Sequence, residues 1–382
     1  SELVALIKNH KADYVFLAYS DLSHEDVMHK ASIAMGTGAN FALLGPHDTM
    51  LVSRKPDISV CAVRTGAGKS PVSRKIAKYL KSKGCRVVVI RHPMPYGDLE
   101  KQVVQRFATY KDLEKYSCTV EEREEYEPHI ENGIIVYAGV DYEKVLRAAE
   151  EEADVILWDG GNNDFPFVKP DLSIVVLDPH RAGHEMAYHP GEINFRTADV
   201  LLINKIDSAR KKDIESVMRN VKSVNPSAAV IQAKSSISMN PRISLKNKSV
   251  LVIEDGPTLT HGGMGFGAGT IAARRAGARI IDAEKYAVGS MKSVYRNYPH
   301  LKNILPAMGY SKQQIRDLEA TINRAKCDAV IDGSPVNLSR LIKPNKPLVN
   351  VSYEIEEVGR PNLRDILSRF EKKYLKKRTR RK

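Results

Sequence analysis

Seven consecutive residues, Arg64-Thr65-Gly66-Ala67-Gly68-Lys69-Ser70, concentrate the chemistry of this sequence. An apolar run, Ser59 to Val63, leads into them, and a helical pattern with Ile76, Ala77 and Leu80 follows. In a glycine-rich turn at a helix start, backbone N–H groups converge and bind phosphate oxygens. Lys69 would then reach the β- and γ-phosphates of a nucleoside triphosphate, and the Ser70 hydroxyl would bind magnesium. The usual first glycine of such a turn is Val63 here. A second apolar strand, Val155 to Trp158, ends in Asp159-Gly160-Gly161. Beside a phosphate cradle, Asp159 would complete the magnesium site and serve catalysis; an ordinary strand-ending acid is the alternative.

A third strand runs into Asn204-Lys205-Ile206-Asp207, which resembles the guanine-reading motif of GTPases. Asp207 could accept from guanine N1–H and its amine, a donor pair that adenine lacks. Asn204 would tie loops together and Lys205 would lie along the base. GTP is therefore the preferred substrate, with ATP admissible. Arg91-His92-Pro93-Met94-Pro95-Tyr96-Gly97-Asp98 sits where a switch loop would, with Asp98 near the γ-phosphate and Arg91 and His92 toward substrate. In Asp178-Pro179-His180-Arg181, His180 and Arg181 suit developing phosphoryl charge. Asp255, Thr258, His261, Gly262 and Gly263 form a polar, glycine-rich loop suited to a second substrate. The acidic run Glu121 to Glu127 is expected to be a solvated helix face.

These motifs need elements to hold them. Strands are expected near 58–63, 86–91, 134–138, 153–158, 172–177, 199–204 and 228–232, with helices such as 69–83 and 142–152 between them. Such alternation implies an α/β fold, a doubly wound parallel sheet carrying the P-loop NTPase domain over residues 55–247. Residues 1–54 read as a βαβ unit, a partial Rossmann-like domain expected to be truncated at its N-terminus. Residues 248–357 read as a smaller α/β substrate region, with strands near 249–254, 278–282, 327–332 and 347–353. Residues 358–382 read as a helical basic tail holding much of the net charge of +13. A solvated tail is expected there, and nucleic acid is not expected as a partner elsewhere. The 382 residues, 42% of them hydrophobic, suit a globular, cytoplasmic protein with no membrane span, and a homo-oligomer is expected. The four cysteines form no close pair, so neither a zinc site nor a disulfide framework is expected.

Taken together, the motifs Arg-Thr-Gly-Ala-Gly-Lys-Ser, Arg-His-Pro-Met-Pro-Tyr-Gly-Asp, Trp-Asp-Gly-Gly-Asn-Asn-Asp, Asn-Lys-Ile-Asp and Glu-Asp-Gly-Pro-Thr-Leu-Thr-His-Gly-Gly resemble an archaeal and bacterial family. Its members are called predicted GTPases or cyclic 2,3-diphosphoglycerate synthetase-like proteins. The resemblance runs from about residue 13 to 356. It implies a magnesium-dependent enzyme that couples triphosphate cleavage to phosphoryl activation of a small anionic metabolite, such as a phosphorylated acid. The family is similar to metallochaperone GTPases, which leaves a regulatory or metallochaperone GTPase acting on a partner protein as the alternative. The Cys- or His-rich metal motifs of those proteins are not found here.

Overall fold

The computed structural model describes residues 2–375 apart from 95–97, 162–163, 242, 261–263 and 310. Its central strand, Asp57–Ala62, is buried along its whole length. That is what a parallel strand covered by helices on both faces requires. To one side lie Val155–Asp159, Val87–Ile90, Ile135–Ala138 and the antiparallel edge strand Gln105–Phe107. To the other lie Leu172–Leu177, Val200–Ile203 and Ala229–Asn240, all parallel to it. The helix Lys69–Ser82 packs Val72, Ile76 and Leu80 onto one face. Helices Tyr142–Glu152 and Lys211–Val224 cover the other with Val145, Leu146, Val217 and Val221.

The sheet does not stop at residue 247. Ala229–Asn240 continues well past residue 232 and pairs antiparallel with Leu348–Val358, from Gln232↔Val358 to Asn240↔Asn350. Beyond that pair come Ala329–Gly333, Ser249–Asp255 and Arg279–Ile280, with Leu305–Ala307 alongside. One sheet therefore runs through residues 55–247 and 248–357 alike. The carboxyl ends of Ser249–Asp255 and Ala329–Gly333 carry Asp255 and Asp332.

Residues Val120–Ile130 form a helix with a capping box at Thr119 and Glu122. It is not the solvated face expected from its charges: Glu122, Glu124 and Glu127 are buried. The helix bridges the halves. Val120 packs with Leu251 and Leu259, and Glu127 accepts from the Asn337 amide. The C-terminal helix Leu363–Phe370 is likewise docked, with Leu363, Ile366, Leu367 and Phe370 in the core beneath the P-loop helix. Among the residues of the basic tail, 376–382 lie outside the described residues.

The N-terminal unit pairs Tyr14–Phe16 with Asn40–Ala42 in parallel around the helix His24–Met35, which Ser23 caps. It is joined to the rest where Leu22–Ser23 pairs with Tyr188–His189. No helix among the described residues is long and apolar enough to cross a membrane.

Candidate nucleotide and substrate site

The strand ending at Ala62 and the helix starting at Lys69 hold the glycine-rich turn between them. Gly66 and Gly68 take φ of +78° and +103°, backbone that L side chains rarely adopt. A Cβ on Gly68 would also stand 2.2 Å from Asn204 Nδ2. Three consecutive carbonyls of the turn are pinned from outside. Arg181 Nη2 donates to Thr65 O at 2.8 Å, Lys205 Nζ to Gly66 O at 2.6 Å, and Asn204 Nδ2 to Ala67 O at 3.0 Å. Gly66 and Gly68 line the cleft. The Ala67 N–H turns back to Arg64 O, whereas those of Gly66 and Gly68 have no acceptor among the described residues.

Asp178 anchors this clamp, accepting from Lys205 at 3.0 Å and Arg181 at 2.9 Å. Burial opposes its ionisation, but those two cations prevail and hold its carboxyl at about 2. Asn204 and Lys205 thus brace the cradle, as does Arg181. Arg181 is engaged on Asp178 and Thr65 instead of standing free for substrate. His180 lines the cleft, its Nε2 2.9 Å from Ser208 Oγ, and burial lowers its proton affinity.

Asp159, at the tip of its strand, is fully buried. Its Oδ1 accepts from Lys69 and Ser73 Oγ, both at 2.8 Å. Its Oδ2 meets His129 Nε2 and Arg91 Nη1, each at 3.0 Å. Burial works against the charge, yet Lys69 and Arg91 hold the carboxyl well below its ordinary value. Arg91 continues to Glu125 at 2.8 Å. His92 pairs with Asp164 at 3.1 Å and packs so close to Gly161 that no Cβ would fit there. Arg91 and His92 therefore form a layer behind the cradle. His129, Ser73 and Glu125 belong to that layer too and escaped the sequence reading. The acidic run was the signal for Glu125 alone; Ser73 lies one turn into the helix Lys69–Ser82, and His129 lies just past the run.

The cradle opens on a cleft holding about 1180 Å³ of space, part of it open to solvent. Lys69 and Ser70 line one wall; Glu254, Asp255, Thr258 and Tyr353 line the other. Thr258 Oγ1 donates to Asp255 at 2.6 Å, and burial pushes the Asp255 carboxyl up to about 6. His261, Gly262 and Gly263 lie outside the described residues. Asp98 is not brought to the cleft. It is exposed, caps the short helix Leu99–Gln102 and pairs with Lys101 at 3.0 Å. Asp207 lines the cleft with both oxygens engaged, by the Ser235 amide at 3.0 Å and by Arg275 at 3.3 Å. Arg64 is turned the other way. Buried, it pairs with Asp21 of the N-terminal unit at 2.5 Å, meets His184 Nδ1 at 2.6 Å and stacks 3.7 Å over Tyr188.

Magnesium takes hard oxygen donors. Ser70 lines the cleft with a hydroxyl oxygen of that kind, whereas Asp159 lies buried behind the cradle with both oxygens engaged, so it becomes a donor only once Lys69 leaves its Oδ1. Among the described residues no group of three His, Cys, Asp or Glu side chains could hold a metal without help from a ligand.

Residues 59–232 match the nucleotide-binding domain of the CobW/HypB/UreG family. The solved structure of LpxK from Aquifex aeolicus, in complex with ATP, aligns with a TM-score of 0.50 at 11% identity, over 85% of this chain and 90% of that one, a likeness of fold alone. Cyclic 2,3-diphosphoglycerate synthetase from Thermococcus sibiricus is 25% identical over 30% of this chain and 26% of its own length. Arginine synthetase ArcE from Thermococcus kodakarensis is 62% identical over 97% of this chain and 83% of its own length. The chain thus belongs to the family of arginine synthetase ArcE, as an NTP-using enzyme built on a P-loop nucleotide-binding domain.

Proposed function

We propose that the chain is a synthetase that phosphorylates the ureido oxygen of an amino acid and lets a nitrogen nucleophile displace the phosphate, leaving a guanidinium. A guanidinium carbon bears three nitrogens. Building it from a ureido carbon means expelling oxygen, a poor leaving group until phosphorylated. The relative's name, arginine synthetase, points to that carbon, with citrulline as the matching ureido acid. This replaces the phosphorylated acid as the preferred substrate, since the match to cyclic 2,3-diphosphoglycerate synthetase covers only 30% of the chain.

The observation that carries the reading is the shared cleft. The cradle on one wall and the polar carboxyl ends of a second set of strands on the other face a single space. A triphosphate and an acceptor can meet there without crossing solvent. Lys69 would leave Asp159 for the γ-phosphate, and the free amides of the turn would hold the β-phosphate. Ser70 and Asp159 would hold magnesium, which supplies charge neutralisation on the phosphate oxygens. His180 would donate to the transferring phosphoryl group or the acid's carboxylate.

The base follows from Asp207. With its oxygens on Ser235 and Arg275, guanine would have to displace a charged partner, while Ile237, Ala268 and Ile271 offer apolar contact to any purine. We therefore assign ATP as the working nucleotide, with GTP as its competitor.

The test is to incubate the protein with ATP, magnesium, citrulline and ammonium chloride. ADP release should need both citrulline and ammonium and should match arginine formed. Lys69→Ala should lower that turnover by roughly a thousandfold or more, the scale expected for a group stabilising phosphoryl charge. ADP or GDP release that ignores both small substrates and rises only with a protein partner would establish the regulatory GTPase reading instead. Asp207→Asn should leave the ATP preference unchanged; a collapse of GTP use in that variant would restore guanine recognition.

A further inference from the structure

Beside the main cleft lies a second recess of about 750 Å³, part of it open to solvent. Arg64, His180 and Phe266 line both spaces, so the two adjoin. The polar lining of the recess is made of donors. Arg64, Arg181, His180 and His184 contribute to it, and no acidic side chain does among the described residues. Arg64 is fixed in three directions. Its Nε is on Asp21 at 2.5 Å, its Nη1 on His184 Nδ1 at 2.6 Å, and its Cζ lies 3.7 Å over the Tyr188 ring. Tyr188 in turn stacks on His184, with ring centroids 4.7 Å apart.

A guanidinium only donates, so the His184 Nδ1 that it meets carries no proton. Burial first, then the Arg64 charge, lowers the proton affinity of His184. The neutral ring therefore keeps its proton on Nε2, which is a second donor. Arg64 Nη2 and His184 Nε2 both lack a partner among the described residues. The charges point the same way. Asp21 matches Arg64, while Arg181 and Lys205 share Asp178, which leaves this cluster one cation in excess. The other wall of the cleft carries Glu254 and Asp255 instead. A small molecule with one anionic end is driven to set that end in the recess.

We propose that the recess is the subsite for the α-carboxylate of the acceptor amino acid, gripped by Arg64 Nη2 and the His184 imidazole. The proposal rests on the synthetase reading above and fixes which end of the ureido acid enters where. The carboxylate sits beside the Tyr188 and Phe266 rings. The aliphatic stem runs past His180, which lines both spaces, and brings the ureido oxygen to the phosphate cradle. An anchor at the end remote from the reacting group makes chain length a determinant of specificity, because a shorter stem leaves the oxygen short of the γ-phosphate.

The test compares citrulline with its α-carboxamide, which keeps the stem and the ureido group and loses the anion. In wild type the KM for the carboxamide should exceed that for citrulline by roughly tenfold to a hundredfold, the worth of charge-assisted hydrogen bonds. Arg64→Gln should bring the two KM values together and leave the KM for ATP as in wild type. His184→Phe keeps a ring against Tyr188 and removes the donor. It should lose part of the preference, and it probes the subsite even where the turn does not tolerate loss of Arg64. Calorimetric binding of arginine and argininamide reads the same subsite without turnover, and arginine should bind tighter in wild type alone. Equal KM values for citrulline and its carboxamide in wild type, or a preference unchanged in both variants, would overturn the subsite and leave the synthetase reading standing. A raised ATP KM in Arg64→Gln with the carboxylate preference intact would give Arg64 to the nucleotide phosphates and overturn it as well. Arginine binding that needs Arg64, in a protein that forms no arginine from citrulline, would overturn the synthetase reading and leave the carboxylate subsite standing.

Discussion

Single side chains in this protein set their neighbours' charge, and pH exposes that. Asp178 is held at about 2 by Lys205 and Arg181, below the ordinary carboxylate value of about 3.9. A carboxyl whose proton affinity falls on folding stabilises the protein above its unfolded value. That contribution disappears as pH falls through the folded one. Denaturant midpoints should therefore drop between about pH 4 and pH 2, and Asp178→Asn should flatten that slope while weakening nucleotide binding. Asp255 and Asp332 run the opposite way, with carboxyls pushed up to about 6 and about 7. Their folded forms keep protons that the unfolded chain gives up, so they cost stability as pH rises through those values. Asp332→Asn should raise the melting temperature more at alkaline than at acid pH. A larger gain at acid pH would show that Asp332 is already paired.

At the level of elements, what was legible in the sequence was what is contiguous. The turn 64–70, the strand tip at Asp159 and the Asn204-Lys205 pair each lie on one stretch of chain, and the structure gathers them at one edge. What was hidden depends on chain segments far apart. Burial of Glu122, Glu124 and Glu127 comes from the C-terminal half packing over a helix whose charges alone suggest solvent. The antiparallel pairing of 229–240 with 348–358 joins segments that share no local signal. Asp98 shows the reverse error, since closeness in sequence to a strand end did not bring it into the cleft. The turn also makes a sharp prediction. Gly68→Ala combines an unfavourable φ with a clash on Asn204 and should cost about 1–3 kcal/mol. Nucleotide affinity should fall further than stability does; equal losses in calorimetry and thermal melts would mean that the turn is not a binding element.

For the molecule as a whole, the C-terminal helix belongs to the nucleotide-binding core. Phe370→Ala should cost about 3–5 kcal/mol, as for a buried aromatic, and a surface-like change below that range would show the helix is dispensable. The continuous sheet has a further consequence. Its halves are stitched by backbone bonds along nine residue pairs, Gln232↔Val358 to Asn240↔Asn350. Two lobes riveted to one floor cannot swing apart as jaws without tearing that seam. Water must then be shut out, and products let go, by small events at the rim. Among these the transfer of one ammonium group, that of Lys69, from an aspartate to an incoming phosphate is the natural trigger.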